Sequence, residues 1–435
     1  MRRILTFGGF GGLICGIDFG IIAVAVPYIR SLHLYSDAEI GWIVGGVLFG
    51  GILASACGGF LCDRLGRRSV IRLATACFLL SVPIICLSGA SFPLIMGGRI
   101  LQGLSCGFLQ VSMPMYLAEV LPPERRGKGT AIFQLFLGIG LVLAALAGVV
   151  LAKSLGAADA DGVSAAAKSL AWRLNFWWTL LPSVCLAISS FLVPESAISR
   201  VSRTSQTSQT PQTSQTLFRR RYVIPFLLAL AVLTLNKLIG FGCVVPYAVV
   251  LFQKAGLSGA LGNCGDLAFK VVNLVVTVLV VGLVDRKGRT FLLRVGTAGL
   301  SVSLAAIGIL FLAFERGWLN PSLGAGCVTL AAFLSLVFFY SFGPGVCVWL
   351  VLSELMPTRI RANGMSIALF SNQFVAWGLA SVFLPLANAW GFGLLFLVFA
   401  FFGALYFLTV FFIPETKGMT LEEIETLFEK KENHA

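Results

Sequence analysis

Of the 19 Asp and Glu residues in this 435-residue chain, Asp18 alone reads as lying deep inside a long apolar run, 4–29. An ionised carboxylate among apolar side chains is costly, and its presence marks function unless a partner neutralises it. Arg99 sits the same way inside the run 93–117. A helical rise of 1.5 Å per residue puts each of the two about 21 Å from the same end of the array, so they can pair. Burial favours the neutral acid and a guanidinium favours the carboxylate. Moving one group past the other would therefore take up and release a proton. The same pair could equally be static, tying two helices together. A third ionisable group, Lys237, falls about 22 Å into the run 222–251. A lysine at that depth needs a wet cavity or a counter-charge. It could bind an anion, pair with Asp18, release its proton, or snorkel from a shifted helix end.

The elements that hold these groups follow from composition. Apolar residues make up 57% and charged residues 12%, with 48 glycines besides, against about 45–50% and about 25% in soluble domains. A soluble enzyme, a disordered chain and a fibrous repeat are all excluded. Twelve apolar runs are each long enough to cross a bilayer: 4–29, 39–61, 69–89, 93–117, 128–152, 170–193, 222–251, 267–284, 292–314, 324–352, 362–386 and 389–413. Most of the 32 Lys and Arg residues fall in the termini and the even-numbered loops. That bias places both termini in the cytoplasm, and it accounts for the net charge of +13 by orientation, with no nucleic-acid partner. The first run lacks a small-residue cleavage site and reads as a retained span. The 11 cysteines read as small apolar residues.

The stretch 194–221 carries a Ser/Thr/Gln repeat that cannot bury a core and reads as a tether. It divides the chain into halves, 1–193 and 222–413, followed by a tail, 414–435, with a short amphipathic helix. Charged motifs recur in both halves. Asp63-Arg64-Leu65-Gly66-Arg67-Arg68 follows span two, and Asp285-Arg286-Lys287-Gly288-Arg289 follows span eight. Glu119 and Arg126 flank the end of span four as Glu354 and Arg361 flank that of span ten; Pro194-Glu195 and Pro414-Glu415 close spans six and twelve. Ordered repetition of this kind implies a duplicated six-helix unit, and such halves suit a carrier that rocks about a central site. Each cluster could alternatively be a simple topology anchor.

The motifs Gly12-Leu13-Ile14-Cys15-Gly16-Ile17-Asp18, Asp63 to Arg68, Gly98-Arg99, Pro114-Met115-Tyr116-Leu117-Ala118-Glu119 with Arg126-Gly127, Pro194-Glu195-Ser196, Gly343-Pro344-Gly345 with Trp349, and Pro414-Glu415-Thr416-Lys417-Gly418 together resemble the sugar porters of the major facilitator superfamily. The resemblance runs over nearly the whole chain. It implies an all-α membrane protein, with twelve transmembrane helices in two pseudo-symmetric six-helix bundles. It also implies secondary active transport, with proton-coupled uptake of a small sugar or polyol. In symporters of this kind the residue matching Asp18 carries the proton and that matching Arg99 tunes it. By the same resemblance, the paired clusters Asp63, Arg67, Glu119, Arg126, Glu195, Asp285, Arg289, Glu354, Arg361 and Glu415 form a cytoplasmic gate.

A sugar is held by amides facing paired hydroxyls and by an aromatic face against its C–H surface. Gln134, Asn236, Asn273, Trp349 and Asn372 are the candidates, all but Asn236 at places where the resemblance puts sugar contacts. Any one amide could instead join two helices, and Trp349 could anchor at the lipid interface. Span seven departs from the family. Where sugar porters commonly read Gln-Gln-Leu-Ser-Gly-Ile-Asn, this chain reads Asn236-Lys237-Leu238-Ile239-Gly240-Phe241-Gly242. Two expected sugar contacts are lost and a cation appears. An organic-anion or sugar-acid carrier using Lys237, a facilitative uniporter and a non-transporting sensor are the alternatives. There is no nucleotide loop, catalytic triad or metal motif, so no enzyme, cofactor or metal is expected. The expected setting is a bacterial inner membrane and the expected state a monomer.

Overall fold

The structure is a computed structural model, and it describes residues 2–89, 91–122, 126–160, 162–195, 220–355 and 361–415. The linker repeat and the tail helix expected from the sequence lie outside the described residues. Twelve helical spans are long and apolar enough to cross a bilayer. Spans one to five are Arg2–Ser31, Asp37–Leu65, Arg67–Cys86, Phe92–Val120 and Arg126–Ser154. Span six is jointed, Ala165–Trp177 then Leu180–Leu192. Span seven breaks into Arg220–Leu238 and Phe241–Lys254, and span ten into Leu323–Phe342 and Pro344–Leu355. Spans eight, nine, eleven and twelve are Ala260–Lys287, Arg289–Glu315, Arg361–Trp390 and Phe392–Val410. No strand occurs among the described residues.

Span eight begins at Ala260, about two turns before the apolar run that marks it in the sequence. Asp266 and Lys270 lie one helical turn apart and neutralise one another, with Nζ 2.7 Å from Oδ2. The helix therefore continues through charges that interrupt the hydropathy pattern. Asp266 is 0% exposed, and the expectation that Asp18 is the only deep carboxylate is corrected.

The duplication is visible in backbone geometry. Gly66 ends span two at φ 86 and ψ 150, and its N–H bonds to Cys62 O. Gly288 ends span eight at φ 89 and ψ 158, and its N–H bonds to Val284 O. Positive φ is accessible to glycine at little cost, so the same residue makes the same sharp reversal in each half.

Small residues set how closely the spans pack, as they do where apolar lipid leaves no hydrophobic drive between helices. A side chain at Gly16 would collide with the Leu137 carbonyl of span five, and one at Gly103 with the Val47 carbonyl of span two. The first contact seats span one beside span five. The second brings span four against span two, and with it Arg99.

Among the described residues, hydrogen bonds between the halves lie at mid-depth or on the face away from the termini. Asp159 accepts from Gln253 Nε2 at 3.0 Å and from Gly259 N at 2.9 Å. Asp37 accepts from Asn388, and Lys270 Nζ donates to the Gly20 carbonyl at 3.3 Å. Trp42 of span two meets Trp377 of span eleven edge to face at 5.8 Å.

Candidate functional site

Asp18 and Arg99 meet in the N-terminal half. Nη1 of Arg99 lies 3.2 Å from Oδ1 of Asp18, and the two are 2% and 0% exposed respectively. The other carboxylate oxygen accepts from the Cys106 thiol at 3.4 Å. Arg99 also donates to Gln102 Oε1 at 2.6 Å and, through Nε, to the Ile43 carbonyl of span two at 3.3 Å. A buried ion pair loses most of its Coulomb gain to desolvation unless further hydrogen bonds serve its remaining donors and acceptors. Gln102, Cys106 and Ile43 provide those bonds. Arg99, Gln102 and Cys106 fall at i, i+3 and i+7 on one helical face. That spacing was readable, yet Gln102 and Cys106 escaped the sequence reading because neither is charged.

In the C-terminal half, the break in span seven is made by Gly240, which is left-handed at φ 73 and ψ 5. Lys237 sits in the last turn before it. It lies deep in the bundle yet keeps part of its side chain accessible. Among the described residues no carboxylate pairs with it; the pairing with Asp18 weighed from the sequence does not form, because Arg99 occupies that carboxylate. Tyr340 of span ten also lies deep and partly open. Its ring stacks on Phe241 with centroids 3.6 Å apart, and Phe241 stacks in turn on Phe269 at 5.9 Å. Asn236 is buried beside the Tyr340 and Tyr406 hydroxyls, and its amide nitrogen is unpartnered. Tyr340 was missed for want of an intramembrane charge.

The remaining amides separate. Asn372 is 1% exposed and donates to the Leu233 carbonyl of span seven at 3.1 Å, a bond between helices. Gln134 is exposed and Asn273 half-buried. Their helices pack closely one turn away, where a side chain at Gly138 would collide with Leu274. Trp349 is 48% exposed.

The charged clusters at the terminal face form bonds within each half. Arg67 pairs with Glu119 of span four at 2.8 Å and with Asp63 at 3.1 Å. Glu195 stands at the end of span six, near Arg72. Glu415 accepts from the backbone N–H of Arg289 and of Thr290, each at 3.1 Å, and so caps span nine. The side chains of Arg126, Asp285, Glu354 and Arg361 lie outside the described residues.

The family model of the Major Facilitator Superfamily matches residues 8–381. The glucose transporter GlcP of Staphylococcus epidermidis is 29% identical, over 97% of this chain and 96% of its own. An arabinose-proton symporter of Bacillus subtilis is 27% identical, over 97% and 94%. The crystal structure of a D-xylose-proton symporter superposes with a TM-score of 0.82 at 24% identity, covering 96% of this chain and 99% of that one.

Proposed function

Because the chain belongs to the Major Facilitator Superfamily, we propose that it is a secondary active transporter that takes up a small sugar or polyol together with a proton by alternating access. It is a multi-pass membrane protein. The observation that carries the proton coupling is the fully buried Asp18–Arg99 pair, whose members sit on two different spans. Relative movement of spans one and four changes how strongly the guanidinium holds the carboxylate, and so when Asp18 takes and releases its proton. Two relatives named as proton symporters of arabinose and galactose support the reading.

In this reading the terminal face is cytoplasmic, the membrane is a bacterial inner membrane and the working unit is a monomer without cofactor, metal or nucleic acid. The halves 1–193 and 222–413 rock about a central site, 194–221 tethers them and 414–435 is a cytoplasmic tail. Their union on the face away from the termini corresponds to the inward-facing state. Gln134, Asn236, Lys237, Asn273 and Trp349 line the substrate path, while Asn372, expected there from the sequence, ties span eleven to span seven. Asp63, Arg67, Glu119, Arg126, Glu195, Asp285, Arg289, Glu354, Arg361 and Glu415 hold the inner side shut in the opposite state.

The test is Asp18→Asn in proteoliposomes. Proton-driven accumulation is expected to vanish while counterflow exchange of the solute persists. Uphill uptake at the wild-type level in that variant would remove the coupling role.

A further inference from the structure

Among the described residues, ionised groups at mid-depth come in matched pairs, with one exception. Asp18 faces Arg99 and Asp266 faces Lys270. Lys237, beside the break in span seven, has no carboxylate partner among the described residues. An ammonium deep in the bundle that stays partly accessible, beside the open space at Gly242, calls for a counter-charge that enters with solvent or solute.

The backbone beside it has the same electrostatic sense. Gly240 N–H bonds back to the Lys237 carbonyl at 3.0 Å, and the Cys243 and Val244 amides bond to the Gly240 carbonyl. The amides of Phe241 and Gly242, first in the 14-residue helix Phe241–Lys254, have no acceptor among the described residues. A side chain added at Gly242 would meet nothing within 4 Å. The start of a half-helix at mid-membrane is a partial positive charge, and in transporters such ends face anionic groups of the solute. Tyr340, stacked on Phe241 and itself partly accessible, supplies an aromatic face beside the helix start.

We propose that Lys237 and the Phe241 and Gly242 amides form a subsite for one carboxylate of the transported solute, so that the substrate is a sugar acid. One ammonium and one helix end match a monoanion, whereas a phosphate dianion would ask for a second cation. The proposal rests on the proton-symport reading and adds a consequence to it. A neutral sugar moving with one proton carries a net positive charge, while a sugar carboxylate moving with one proton carries none. The membrane potential, worth about 2.3 kcal/mol per charge per 100 mV, would then contribute nothing to uptake.

The experiment uses proteoliposomes of the full chain, offered glucuronate, glucose and glucose 6-phosphate. A pH gradient and a potassium diffusion potential are imposed separately. Glucuronate uptake is expected to follow the pH gradient and to ignore the potential. Lys237→Gln should cut kcat/KM for glucuronate by about 30-fold or more, the usual scale for losing one partner of a desolvated charge pair; Lys237→Arg should retain most of it. Gly242→Val, whose Cβ would meet nothing within 4 Å, is expected to block the subsite independently, with a thermal melt in detergent to check that it folds. Glucose uptake driven by both gradients, with glucuronate inert, would overturn the carboxylate site and leave proton symport standing. Preference for the phosphate ester would also overturn it. Glucuronate uptake insensitive to the pH gradient would overturn the symport reading itself, and transport of none of the three would overturn both.

Discussion

The two halves repeat their loop geometry but distribute their buried charges differently. In the N-terminal half the ion pair spans two helices, Asp18 on span one and Arg99 on span four. In the C-terminal half it is confined to one turn of span eight, Asp266 to Lys270. A pair between helices changes whenever those helices shift; a pair at i, i+4 moves as one body. The N-terminal half also keeps spans one to five unbroken, while spans seven and ten are interrupted at Gly240 and Gly343. Broken helices expose backbone to a cavity, which the hydrocarbon region tolerates only there. Under the proposed function, proton handling falls to the half whose pair can respond, and solute recognition to the half whose helices open.

The largest expected effect comes from breaking either pair by removing its cation. Arg99→Met or Lys270→Met leaves a buried carboxylate unpaired, which costs about 3–5 kcal/mol, read as a drop in thermal stability in detergent. The charge-free doubles separate the halves. Asp18→Asn with Arg99→Met should recover stability without proton-driven accumulation, whereas Asp266→Asn with Lys270→Met should recover both. Proton-driven accumulation by the first double would break the comparison.

A second effect concerns the one bond by which the C-terminal pair touches the other half, Lys270 Nζ to the Gly20 carbonyl. In the Asp266→Asn, Lys270→Met double this bond is gone while no charge is stranded. A single cysteine at the outer end of span one, on that double background, should react faster with a membrane-impermeant maleimide. Equal rates would mean that the bond does not help to hold the outer side shut.

Smaller effects are expected at the terminal face. Glu415→Gln weakens the cap on Arg289 and Thr290 and should cost about 0.5–2 kcal/mol, measured again by thermal melting. Glu119→Gln removes one of the two carboxylates that face the nearly buried Arg67, leaving Asp63 in place. Its signature is a shift of population toward the inward-facing state, seen as faster labelling of cytoplasmic cysteine probes. Unchanged labelling would separate Glu119 from gating.

The mid-depth pairing of Asp18 with Arg99 was legible because helical rise converts residue number into depth. The turns were legible too, since Asp-Arg-x-Gly-Arg recurs where only glycine reverses the chain easily. Asp266 was not legible. Hydropathy counts each charge as a cost, and it cannot know that Lys270 on the same face cancels it. Asn372 shows a different limit, because an amide in a span can turn toward a ligand or toward a neighbouring carbonyl. Here it turns to Leu233 O.

What the sequence determined by itself is the number of spans, the duplication and the shared depth of Asp18 and Arg99, because all three depend on local composition and a fixed rise per residue. Only the tertiary structure decided which groups meet. Azimuth around a helix, the joints at Gly240 and Gly343, and the close approach allowed by Gly16 and Gly103 depend on how neighbouring helices pack. That packing gave Asp18 a guanidinium, gave Asp266 an ammonium and left Lys237 without a carboxylate among the described residues.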